Sequence, residues 1–126
     1  MYKKVFTLLL LLLPFQLLIA QKSLLKNFPE GYTPDEIGRR ISYRFVTEKH
    51  ALHAGKWIGY PETFYWNGSL KYAAAAKDKA LIKLLQARFE HLFTTEKALL
   101  PIKNHVDLNM FGSLPVEVYW VTKDDR

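Results

Sequence analysis

The residues best equipped for chemistry are gathered in one stretch, Asn104-His105-Val106-Asp107-Leu108-Asn109-Met110-Phe111-Gly112-Ser113-Leu114-Pro115. One carboxylate (Asp107), one imidazole (His105) and two amides (Asn104 and Asn109) stand at the mouth of an apolar segment. A carboxylate in such company serves as a general acid or base when its surroundings tune its proton affinity toward the working pH. It serves equally as an N-cap, accepting the free backbone N–H groups of a first helical turn. The residues alone leave both roles open, and one side chain can fill both.

The elements that must hold this stretch read as helices. Thr33-Pro34-Asp35-Glu36 combines a capping Thr, a Pro suited to the first helical position and a Glu that can close a capping box. Behind it, Ile37, Ile41 and Phe45 give an apolar face, while Arg39, Arg40 and Arg44 give a basic one, read as solvated. This predicts a helix from Pro34 to about Lys49. A loop with Gly55 and Gly59 follows, over residues 50–60. His50 and His53 lie one helical turn apart in it, but the segment is not convincingly helical and no third ligand is near, so both are expected to be solvated loop side chains rather than metal ligands.

Pro61 opens a second helix ending near Ala73 to Ala76. It carries Phe64-Tyr65-Trp66, and three adjacent aromatics cannot share one face at a period of 3.6 residues, so at least one must point away from the core. Asn67-Gly68-Ser69 matches a glycosylation sequon, which carries little weight inside a helix. Asp78 is expected to cap a third helix. There Leu81, Leu84, Leu85, Phe89, Leu92 and Phe93 recur at three- and four-residue steps. Residues 94–103 form a connector with Pro101. A fourth helix is expected over Leu108 to Thr122, with Pro115 bending it or marking its true start.

Composition narrows the function classes. The chain has 126 residues, room for one domain, and is 49% hydrophobic with a net charge of +6. Two of those charges, Lys3 and Lys4, precede an apolar block from Val5 to Ala20, and there is no basic run interleaved with aromatics, so nucleic-acid binding has no support. Cysteine is absent, which excludes disulfides, thiolate metal sites, a cysteine nucleophile and a lipid-bearing Cys. The apolar block is short for a bilayer span and fits a secretory signal over residues 1–20, cut after Ala20. The expected layout is thus a signal peptide over 1–20, a tether over 21–32 and helical hairpins over 33–126, in a periplasmic or secreted protein without stable membrane association after cleavage.

The chain also echoes itself. Asn67-Gly68-Ser69-Leu70 leads to Lys77-Asp78, and Phe111-Gly112-Ser113-Leu114 leads to Lys123-Asp124. The interval, about 45 residues, is that of a helical hairpin repeat. Such hairpins usually need about three or more neighbours to bury both faces. Two copies therefore read as the front piece of a larger helical array.

Several motifs in register support a resemblance. Gly31-Tyr32-Thr33-Pro34-Asp35-Glu36-Ile37-Gly38-Arg39-Arg40-Ile41, Tyr60-Pro61-Glu62, Trp66-Asn67-Gly68-Ser69-Leu70, Arg88-Phe89-Glu90, Leu92-Phe93-Thr94-Thr95-Glu96-Lys97, Asn104-His105-Val106-Asp107 and Phe111-Gly112-Ser113-Leu114-Pro115 resemble the N-terminal part of unsaturated glucuronyl and rhamnogalacturonyl hydrolases, glycoside hydrolase families 88 and 105. The resemblance runs from Gly31 to Asp124. It implies an all-α fold in which these hairpins form roughly the first third of a six-hairpin α/α toroid, the remainder being missing from this chain.

It also implies the chemistry. The substrate is an oligosaccharide ending in a 4,5-unsaturated uronic acid. An aspartic acid protonates the vinyl-ether double bond, water adds, and the hydrated sugar opens and releases its neighbour. This differs from the two-carboxylate displacement of ordinary glycosidases, and it needs no cofactor or metal. By the resemblance, Asp107 matches the first of two active-site aspartates, Trp66 an aromatic that stacks on a sugar face, and His105 and Asn109 groups that donate to sugar hydroxyls. The acid/base aspartate is implied on a later helix than these, so this chain alone is expected to be inactive. Trp66 as core residue stays open beside Trp66 as sugar platform. The alternative function is a non-catalytic helical repeat module that binds a sugar or a protein partner.

Overall fold

A computed structural model describes residues 27–50, 52–101 and 106–124. The expected signal peptide, most of the tether and His105 lie outside the described residues. The chain divides into two units, Met1–Thr33 and Pro34–Arg126. In the first, the described residues contain a turn in which the Tyr32 N–H donates to the Pro29 carbonyl at 3.0 Å.

The second unit is helical, with no strand among the described residues. Its α-helices are α1 (Pro34–Thr47), α2 (Tyr60–Ala75), α3 (Lys79–His91), α4 (Val106–Asn109) and α5 (Ser113–Thr122). Short 3₁₀ turns cover Leu52–Gly55, Lys97–Leu99 and Met110–Gly112. No described helix is long and apolar enough to cross a membrane.

Local chemistry accounts for the boundaries. Asp78 caps α3 as expected, its Oδ1 accepting the Leu81 N–H at 3.0 Å. Its Oδ2 accepts the Tyr43 hydroxyl of α1 at 3.0 Å, so one carboxylate starts a helix and ties it to another. The fourth expected helix is divided: α4 is one turn, a 3₁₀ turn follows, and α5 starts at Ser113. Pro115 is the third residue of α5, where a missing N–H breaks no intrahelical bond, so it marks a helix start.

The sequence echo has a structural counterpart. Lys77 and Lys123, the Lys of each Lys-Asp pair, adopt left-handed backbone with φ of 56° and 59°. The two copies also touch, Asn67 Nδ2 donating to Ser113 Oγ at 3.2 Å. The sequon asparagine is thereby engaged between helices.

The core lies among α1, α2, α3 and α5. Phe45, Trp66, Leu70, Ala73, Leu81, Leu85, Leu114 and Val118 are buried there, with Ile58 and Leu92 from the connections. Trp66 is its centre at 0% exposure. Phe45 and Phe89 meet its ring edge-on at centroid distances of 5.2 and 6.2 Å, and its indole N–H donates to the Leu85 carbonyl at 3.3 Å. Among the three adjacent aromatics, Phe64 is the one turned outward and Tyr65 is half-buried. The close approach of α1 to α2 depends on Gly38, where a Cβ would stand 2.5 Å from the Tyr72 ring. The Tyr72 hydroxyl then donates to Asp35 Oδ1 at 3.0 Å.

Two measurements test this packing. Trp66→Ala should cost about 3–5 kcal/mol in denaturant unfolding, a large share of a small domain's stability. The Leu81 N–H and the Tyr43 hydroxyl hold the Asp78 carboxyl below its ordinary 3.8, against the opposing effect of desolvation. Its contribution is present above 3.8 and is lost as pH falls through the lower folded value. Asp78→Ala should therefore lower Tm at neutral pH and flatten the fall of Tm in acid.

Candidate functional site

The expected site residues separate. Asp107 is the second residue of α4 and Asn109 its last, and both side chains are exposed. Two positions apart on one helical turn, they do not face each other. Both take part in interactions with the surrounding protein. Asp107 thus sits on a short solvent-exposed turn, followed by the 3₁₀ turn that leads into α5.

Trp66 requires a correction. A ring with no exposed area, covered edge-on by Phe45 and Phe89, offers no face to a sugar. Its part in this chain is to fill the core, because the 3.6-residue period that turns Phe64 outward turns Trp66 inward. Among the described residues, no group of three His, Asp or Glu side chains has the arrangement to hold a metal ion.

The histidine expectation also divides. His53 is exposed and stacks on Trp57 at a centroid distance of 5.1 Å. His50 is instead buried, at the centre of an ionic cluster that sequence reasoning missed. Its Nδ1 pairs with Glu62 Oε1, and its Nε2 lies 3.2 Å from Glu96 Oε2. Arg88 Nη2 lies 3.2 Å from His50 Nδ1 and 3.9 Å from Glu62 Oε1. Arg88 Nη1 donates to the Glu48 carbonyl at 2.8 Å.

Each member comes from a different element. Glu62 stands in the first turn of α2, Arg88 in the last turn of α3, and both positions suit the helix dipole. Glu96 immediately precedes the 3₁₀ turn of the connector, and His50 follows α1. Burial pulls the Arg88 guanidinium below its ordinary value, opposed by the charges of Glu62 and then Glu96. The guanidinium carbon also lies 4.6 Å from the Phe45 ring centroid and 5.8 Å from that of Trp66, so the cation is held by carboxylates and aromatic faces together.

These four residues are scattered along the chain, and no spacing rule joins them. The available signal was indirect: Glu62 and Arg88 both lie at helix ends beside strongly apolar positions, where an unpaired charge would be costly.

Two surface features accompany the cluster. A cavity of about 160 Å³ lies beside it, lined by Arg44, Phe45, Glu48, Lys49, Leu52, Glu62, Tyr65 and Arg88. A groove of about 500 Å³ runs between α3 and α5, lined by Gln86, Phe89, Glu90, Phe93, Thr94, Pro115, Val118 and Asp124.

No protein-family profile, curated protein or solved structure matches this chain.

The cluster makes a specific demand. Removing one partner of a buried ion pair leaves an uncompensated charge, whereas replacing both by apolar groups can be neutral. Arg88→Ala alone should destabilise the protein by about 3–5 kcal/mol, and the paired change Glu62→Leu with Arg88→Met should recover most of it. Urea unfolding of the three variants beside wild type checks this.

Proposed function

We propose that the chain is part of a glycoside hydrolase acting on oligosaccharides that end in a 4,5-unsaturated uronic acid. The reading rests on the motif resemblance from Gly31 to Asp124. The observation that carries it furthest is the position of Asp107: an exposed carboxylate on a one-turn helix, separated by one 3₁₀ turn from the helix whose start repeats the Gly-Ser-Leu signature of α2. Had Asp107 been enclosed in the core, it would have no route to a sugar.

In this reading the hairpins of α1–α3 and α4–α5 belong to a larger α/α toroid, with Asp107 on the rim of its central cleft. The reaction is hydration of the vinyl ether. An aspartic acid protonates the double bond, water adds to the resulting cation, and the hemiketal so formed opens and expels the linked sugar. Asp107 holds the unsaturated ring and its neighbour in this scheme. In this scheme the acid/base group belongs to a later helix of the toroid. His105 and Asn109 remain candidate donors to sugar hydroxyls.

A non-catalytic binding module is the second reading, favoured by the groove between α3 and α5. Exposed Phe93 faces it, and exposed Val116, Tyr119 and Trp120 extend the apolar surface of α5. A patch of that kind marks an interaction surface.

The two readings separate in one titration. An unsaturated uronyl disaccharide added to the ¹⁵N-labelled chain should shift the Asp107 and Asn109 amides with Kd of about 1 mM, equivalent to about −4.1 kcal/mol. Asp107→Asn should weaken this by about tenfold, or 1.4 kcal/mol. Shifts confined to Phe93, Val118 and their neighbours, or none at all, would replace the hydrolase reading with the module.

A further inference from the structure

Glu62 is almost fully buried, yet only half of its carboxylate is engaged. Its Oε1 meets His50 and Arg88, while its Oε2 has no hydrogen-bond partner among the described residues. Arg88 has the same shortfall. Its Nη1 and Nη2 are engaged, and its buried Nε has no partner among the described residues. One acceptor and one donor are left over where an unmade hydrogen bond costs most.

Both side chains line the cavity of about 160 Å³ beside the ionic cluster. Its other walls are of two kinds. Phe45, Leu52 and Tyr65 are apolar or aromatic, and the Tyr65 hydroxyl already donates to the Ile41 carbonyl at 3.3 Å. Arg44, Glu48 and Lys49 are exposed and charged, the first two paired at 2.8 Å. The cavity thus combines a buried polar pair, apolar walls and a wet, charged edge.

Size and wall chemistry choose among occupants. Liquid water takes about 30 Å³ per molecule, so water alone would need about five molecules here, each with two to four polar partners. The Phe45 ring and the Leu52 side chain supply none. A cavity of about 150 Å³ accommodates one six-membered ring instead. The leftover pair then selects the functional group. A carboxylate can accept from Arg88 Nε but is repelled by Glu62. An ammonium can donate to Glu62 Oε2 but meets the Arg88 cation. A hydroxyl is neutral and both donates and accepts.

We propose that this cavity is a binding site for a polyhydroxylated six-membered ring, a sugar or a cyclitol, one hydroxyl of which donates to Glu62 Oε2 and accepts from Arg88 Nε. The C–H face of the ring lies along Leu52 and Tyr65, and its outer hydroxyls meet Glu48 and Lys49 at the edge. Neither Asp107 nor Asn109 lines the cavity, so the site stands apart from the hydrolase reading.

The test is an NMR titration of the ¹⁵N-labelled 126-residue chain that follows the Arg88 Nε–H resonance. D-Glucose, D-galactose and myo-inositol are each added up to about 100 mM, a hundred times a Kd of about 1 mM. At least one of them should move that resonance in a saturable way. Tetrahydropyran, a similar ring without hydroxyls, should not. Leu52→Trp fills the cavity, leaves the four clustered side chains in place and should weaken binding by about tenfold or more. If that variant does not fold, the wild-type comparison with tetrahydropyran decides. No shift with any of the three would overturn the site and leave a cavity for water only. An equal shift with tetrahydropyran would overturn the hydroxyl recognition. Binding undiminished in folded Leu52→Trp would place the ligand elsewhere and overturn the site as well. The Asp107 and Asn109 amides, read in the same spectra, report on the hydrolase reading separately, so the two fail independently.

Discussion

The structure depends on one constraint: charges carried into a small apolar core must be neutralised where they lie. Taking an ion out of water costs several kcal/mol even after relaxation, and only close, well-paired partners offset it. Here Glu62 is 2% exposed, and it meets His50 and Arg88 within the same few ångströms. Because those partners come from the end of α1 and the last turn of α3, charge neutrality is also a statement about geometry. The helices can approach only in the arrangement that brings the four groups together. Trp66, edge-on to Phe45 and Phe89 and under the Arg88 cation, supplies the apolar wall against which the charges sit.

That constraint reaches toward the candidate site through the connector. Leu92 is buried at the end of α3, Glu96 turns back to His50, and Leu99 accepts the Ile58 N–H. The connector after α3 is thus anchored at three successive points. Asp107 then stands on a single turn of helix, exposed, with α5 beginning four residues after it ends.

Much of the helical frame was legible in the sequence, and for local reasons. Asp78 and the leucines behind it define α3 by cap and period alone, and Pro34 and Pro61 sit at helix starts where their missing N–H is harmless. The Lys77-Asp78 and Lys123-Asp124 echo corresponds to a shared left-handed turn. What escaped is long-range. His50 looks like a solvated loop residue because nothing nearby in sequence reveals Glu62, Arg88 or Glu96 around it. Trp66 reads as either core or sugar platform because a helix position does not say what stands opposite; Leu85 and Phe89 of α3 decide it. Pro115 leaves a bend or a start equally open until the 3₁₀ turn before Ser113 shows a start.

The most direct measurement of the central claim is a crystal structure of the protein grown at mildly acidic pH, with side chains resolved around His50. The account expects the imidazole between Glu62 and Glu96, the Arg88 guanidinium against the Phe45 ring, and Trp66 enclosed. A Glu62 carboxylate turned out to solvent, with His50 on the surface and the connector detached from Ile58, would contradict it.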